Sequence, residues 1–204
     1  MTEDDGLKQA ESLLARIPKA RSQQRQRMLL AAALTSVMHQ IPIVVGGTAE
    51  AFWAGGRYHP TDLDLCPRPG PSDVQALKAL GLRKQGRHWV TDGLPVAVEF
   101  PGQGDDIERT VDVRVDRITI KVIACEDLYL DRVRQATAGW PRLDVSYDGA
   151  YEIALTNYER MDWVYITDRL ARIAKTEKIV GSTMIKVSRR VKAQARRQRA
   201  RAAR

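Results

Sequence analysis

Between residues 43 and 65 the sequence reads IVVGGTAEAFWAGGRYHPTDLDL, and it concentrates the residue types that bind phosphates and divalent cations. Gly46 and Gly47 follow a β-branched run and carry no side chain, so a ligand can come close to the backbone there. Thr48 opens a helix-compatible segment, and the first N–H groups of a helix lack partners within it, which suits a phosphate. After thirteen further residues come Asp62 and Asp64, separated by Leu63. Side chains alternate along a strand, so both carboxylates leave one face while Leu63 and Leu65 enter the core. Hard cations such as Mg²⁺, or Mn²⁺, take carboxylate oxygens, and two carboxylates on one strand face can hold them beside a bound triphosphate.

Gly46-Gly47-Thr48 followed at this spacing by Asp62-Leu63-Asp64-Leu65 resembles the signature of the polymerase β-like nucleotidyltransferase superfamily. Arg57 and Thr61, just before the aspartates, resemble a variant of that signature in the AbiEii-like proteins of bacterial toxin–antitoxin and abortive-infection systems, with a wider arginine-to-threonine spacing here. Val98-Glu99-Phe100-Pro101 and Cys125-Glu126-Asp127-Leu128-Tyr129-Leu130-Asp131-Arg132 resemble two further blocks of a bacterial branch, and the likeness spans residues 25–170. Those toxins carry a lysine in the block that reads Leu130-Asp131-Arg132 here.

The resemblance implies an α+β fold, a mixed sheet flanked by helices, and a third carboxylate on a strand beside the aspartates. Within residues 94–100, Ala97 and Glu99 share one face and Val96 and Val98 the other, with Pro101 and Gly102 ending the strand. Glu99 is therefore the choice for that carboxylate, and Asp112 in Val111-Asp112-Val113-Arg114-Val115 is its rival. In the mechanism so implied, Asp62, Asp64 and Glu99 hold two metal ions against an NTP. Gly46, Gly47 and Thr48 hydrogen-bond the terminal phosphates, and Arg57 neutralises charge on them. A nucleoside monophosphate passes to an acceptor hydroxyl on an RNA or tRNA end, a protein or a small molecule, and an antitoxin protein is an implied partner. The alternatives are a non-catalytic binding component of such a complex and an RNA-binding module with an incidental nucleotide site.

Positioning such a site requires a strand at residues 43–45, a helix directly after it, and the aspartate strand at residues 63–66. Helical patterns cover residues 7–16 and 22–39, the second with the apolar run MLLAAALTSVM suited to packing on a sheet. Residues 67–71 read as a turn, with Ser72 as the N-cap of a helix over residues 73–80. Strand patterns follow at residues 88–91, 94–100, 111–115 and 118–123. From Glu126 on the periodicity is helical over residues 126–138, 146–155 and 157–175, broken at Trp140-Pro141. The expected organisation is a core over residues 1–125, a helical part over 126–180 and a basic tail over 181–204.

The net charge of +8 is unevenly spread. Nine of the 33 Lys and Arg fall between Lys186 and Arg204, a stretch without acid, leaving 24 basic against 25 acidic side chains elsewhere. Such a stretch can bind RNA or DNA phosphates through counterion release, or be a solvated end. Cys66 and Cys125 are far apart and lie in no CxxC or Cys-His cluster, which points to a reduced compartment. His39 and His88 have no metal-ligand spacing, and His59 reads as a loop residue near the aspartates. The longest apolar run, residues 28–38, is too short for a membrane span, so a cytoplasmic protein is expected.

Overall fold

The computed structural model describes residues 3–55, 60–137 and 143–203. The chain divides into one unit formed by Met1–Phe52 and His59–Ile123 and a second formed by Trp53–Tyr58 and Ala124–Arg204. Arg57, His59 and the expected break at Trp140-Pro141 lie outside the described residues.

The first unit is α+β. Its helices are α1 (Glu3–Leu14), α2 (Gln23–Val37), α3 (Gly46–Trp53) and α4 (Pro71–Ala79), with Trp53 already assigned to the second unit. Its strands are β1 (Ile43–Val44), β2 (Asp62–Cys66), β3 (Arg83–Gln85), β4 (His88–Val90), β5 (Ala97–Glu99), β6 (Thr110–Val115) and β7 (Ile118–Ile123). They form one mixed sheet in the order β3-β4-β5-β2-β1-β7-β6. β2 runs parallel to β5 and antiparallel to β1, which in turn runs parallel to β7.

From Met28 to Leu34 α2 is apolar on every side, and all seven of these residues are buried. A helix without a polar face is stable only when covered all round. β2 shows the complementary rule. Leu63 and Leu65 are fully buried while Asp62 and Asp64 are part-exposed, so the Asp-Leu-Asp-Leu alternation maps onto the two faces of the sheet. Burying a leucine contributes about 1.5–3 kcal/mol, enough to fix which face the aspartates take.

Ser72 is not the cap of α4. Pro71 occupies the first turn, where its missing N–H costs nothing, and Gly70 stands at the N-cap. Asp73 Oδ2 accepts from the Gly70 N–H (3.2 Å), and its Oδ1 accepts from the N–H of His39 (2.7 Å), tying the start of α4 to the exit from α2. Asp116 turns the β6–β7 hairpin at φ +56° and accepts from Arg16 and Arg25, both at 2.7 Å.

The second unit is helical: α5 (Cys125–Gln135), α6 (Leu143–Asn157), α7 (Trp163–Thr176) and α8 (Lys178–Ala202). The basic stretch from Lys186 is the continuation of α8, which buries Gly181, Met184, Ser188, Val191 and Ala195 at helical spacing. A Cβ on Gly181 would lie 2.4 Å from Ala174 Cα, so α7 and α8 approach at backbone distance. Ser188 hydrogen-bonds the buried Tyr129 hydroxyl (2.9 Å), and Arg134 forks onto both Glu177 oxygens at 2.8 Å. Among the described residues, no helix is long and apolar enough to cross a membrane.

Candidate active site on the β2 to β5 face

The site begins where β1 ends. Val45 donates its N–H to the Asp64 carbonyl (3.0 Å), which extends the β1–β2 pairing by one residue before the chain turns into α3. That turn needs Gly46, whose φ is +56°. A Cβ at this position would sit 2.0 Å from Asp64 Oδ2 and 2.8 Å from Asp64 Cβ. Only glycine lets the backbone lie this close to the Asp64 carboxylate. The next N–H, that of Gly47, donates to Asp64 Oδ2 at 3.2 Å.

The sequence places the Thr48 hydroxyl on a ligand's phosphates. In the structure Thr48 is fully buried and its hydroxyl donates to the Asp62 carbonyl at 3.0 Å. Its role there is to fasten the first turn of α3 to β2, because a hydroxyl committed inside the core is not presented to a ligand.

Glu99 stands opposite Asp64 in the parallel β2–β5 register. Asp112, the rival carboxylate, lies on the edge strand at the far side of the sheet, where Lys121 reaches it at 2.9 Å. Only Glu99 of the two borders the aspartate strand. A residue for which the sequence shows no metal spacing completes the group: His88 on β4 pairs with Glu99 across the antiparallel β4–β5 ladder. Its Nε2 lies 3.5 Å from Glu99 Oε2 and 3.7 Å from Asp62 Oδ2. Asp62, His88 and Glu99 each offer a ligand atom within 4.8 Å of the others. Their side chains are 24%, 32% and 16% exposed, so the group opens to solvent yet is walled on its sheet side. Arg87, largely exposed, brings its Nε to 3.3 Å from Glu99 Oε2.

The donor set fits a divalent ion. Two carboxylates and an imidazole converge on one point, and the bare backbone of Gly46 packs directly against the Asp64 carboxylate.

Arg27 is a further positioning residue that sequence reasoning missed. It is buried on α2, and its Nη1 donates to the Pro60 carbonyl (2.7 Å), two residues before Asp62. Burial pulls the Arg27 guanidinium below its ordinary range, and the charge of Asp62 works against that shift. In the sequence Arg27 is the last of five consecutive basic or amide residues before an apolar run, and nothing marks it out.

No family model and no curated protein matches the chain. Among solved structures it is similar to an antigenic nucleotidyltransferase-like protein from Paracoccidioides brasiliensis, with 11% sequence identity, a TM-score of 0.48, and coverage of 87% of this chain and 92% of that one. A likeness at that level leaves activity to be judged from the side chains themselves.

Proposed function

We propose that the first unit transfers a nucleoside monophosphate from an NTP to an acceptor hydroxyl. The observation that carries this reading is the meeting of Asp62, Asp64 and Glu99 on adjoining strands with the bare backbone of Gly46 and Gly47 directly beside Asp64. Asp62 and Glu99 would hold one divalent ion, and Asp64, on turning from the Gly47 N–H, would share in holding a second. Bound there, Mg²⁺ or Mn²⁺ supplies Lewis-acid polarisation and neutralises phosphate charge. Release of the Gly47 N–H by Asp64 leaves that donor for a phosphate oxygen.

In the transfer, a bond forms between the acceptor oxygen and the α-phosphorus, the bond from that phosphorus to the bridging oxygen breaks, and pyrophosphate leaves. Glu99, the least exposed of the three grouped side chains, takes the acceptor's proton. Arg57 remains the proposed charge-neutralising side chain near the phosphates.

For the acceptor, the charge of α8 favours RNA. Lys186, Arg189, Arg196, Arg197 and Arg201 are all exposed, on a helix without an acidic side chain. Such a face attracts a phosphate backbone from a distance and holds it by counterion release. The AbiEii-like pattern at Arg57, Thr61, Asp62 and Asp64 supports a toxin role with an antitoxin protein as partner.

The test is transfer with Asp62→Asn and Asp64→Asn. Both side chains project from a strand face rather than into the core, so each variant keeps its thermal stability and loses transfer. A variant that unfolds, or that transfers at the wild-type rate, removes the residue from the mechanism.

A further inference from the structure

We propose that His88 is a metal ligand, and that its imidazole, with Asp62 and Glu99, makes the site prefer Mn²⁺ to Mg²⁺. This rests on the metal-dependent reading of the same carboxylates and deepens it by assigning the nitrogen donor and the ion.

The geometry comes from three neighbouring strands. β4, β5 and β2 lie side by side, His88 pairs with Glu99, and Glu99 pairs with Asp64, two residues along β2 from Asp62. Because alternate residues share a face, Asp62, Glu99 and His88 all point to one side of the sheet. Bonds to such ions run about 2.0–2.2 Å, so neighbouring ligand atoms around an ion lie roughly 3 Å apart. The Nε2 distances of 3.5 and 3.7 Å come within a side-chain adjustment of that spacing. Arg87 is the one described cation paired with Glu99, and at 72% exposure it can swing into solvent when an ion arrives.

The chemistry of the donors then selects the ion. Mg²⁺ is satisfied by oxygen and retains its water, whereas imidazole nitrogen suits the transition ions. A site of oxygen donors alone would leave His88 merely adjacent. A nitrogen facing two carboxylate oxygens is a third tooth instead.

The experiment loads the full-length protein with MnCl₂ in the absence of nucleotide and records pulsed electron paramagnetic resonance, with calorimetric titrations of Mn²⁺ and of Mg²⁺. Imidazole nitrogen modulation on the bound Mn²⁺ is expected, with an Mn²⁺ affinity about tenfold or more above that for Mg²⁺. His88→Gln removes the modulation and weakens Mn²⁺ about tenfold while shifting Mg²⁺ much less. Asp62-dependent Mn²⁺ binding without nitrogen modulation overturns the His88 assignment and leaves the carboxylate site standing. Failure of the wild-type protein to bind Mn²⁺ and Mg²⁺ overturns both. The wild-type spectrum decides the matter even if the variant folds poorly.

Discussion

Gly46→Ala is the sharpest single perturbation of this site. The added methyl group acts in two ways that can be separated. Gly46 has φ +56°, and an L-residue in the left-handed region costs about 1–2 kcal/mol. The new Cβ also meets Asp64, at 2.0 Å from Oδ2, 2.6 Å from Cγ and 2.8 Å from Cβ. The oxygen could rotate away, but Asp64 Cβ is fixed by the β2 backbone, so α3 and β2 must separate. Overpacking of that kind costs about 1–3 kcal/mol more. Since misplacement of a reacting group by about 1 Å can cost about 10²-fold, transfer should fall by that factor or more. Gly93→Ala is the control: Gly93 has φ +81° and nothing within 4 Å of an added Cβ, so it carries the backbone cost alone. Denaturant unfolding and NTP turnover, measured on both variants, make the comparison. If Gly46→Ala is no less stable than Gly93→Ala and transfers normally, the close contact between Gly46 and Asp64 does not govern the site.

Arg27→Met strands the Pro60 carbonyl, so it should cost about 1–3 kcal/mol in denaturant unfolding. Burial pushes the Asp116 carboxyl up, but the hydrogen bonds from Arg16 and Arg25 outweigh it and hold the folded value below the ordinary one. The resulting stability is therefore fully present above the unfolded value of about 3.9 and is lost as pH falls through the lower folded value. Asp116→Asn should flatten that acid limb in pH-dependent melting by lowering the neutral Tm while leaving the Tm in strong acid little changed. Burial, helped by Glu126 and opposed by Arg160, pushes the Cys125 thiol up to about 12, so native protein at pH 8 should leave it unmodified by an aromatic disulfide reagent. Replacing Lys186, Arg189, Arg196 and Arg197 by Gln should reduce the salt slope of single-stranded RNA binding by about 3, since each phosphate contact contributes about 0.7. An unchanged slope would turn the acceptor proposal away from RNA.

Period-two alternation made the sheet face of the site readable in advance. Leu63, Leu65, Val96 and Val98 are buried and Asp62, Asp64 and Glu99 are not, as their order along the chain dictates. The strand β3 was not readable, because Arg83, Lys84 and Gln85 are all exposed on an edge and carry no apolar signal. His88 escaped for a different reason. Its partnership with Glu99 is set by hairpin register across an intervening loop, and a spacing of eleven residues encodes no register by itself. At Pro71 the sequence held the answer, since proline favours the first helical position and moves the cap back to Gly70 rather than on to Ser72. In α8 the dense charge masked a buried stripe of small and medium residues, Gly181, Met184, Ser188, Val191 and Ala195, that docks the helix in its unit.

The bond proposed to form at this site is to the α-phosphorus of an NTP. Two parallel incubations with Mn²⁺ or Mg²⁺ and total RNA, one with α-labelled and one with γ-labelled NTP, test it most directly. The α-label should become covalently attached to RNA while the γ-label leaves as pyrophosphate, and both events should vanish in Asp62→Asn. Attachment of the γ-label, or α-labelling that persists in Asp62→Asn, would contradict it.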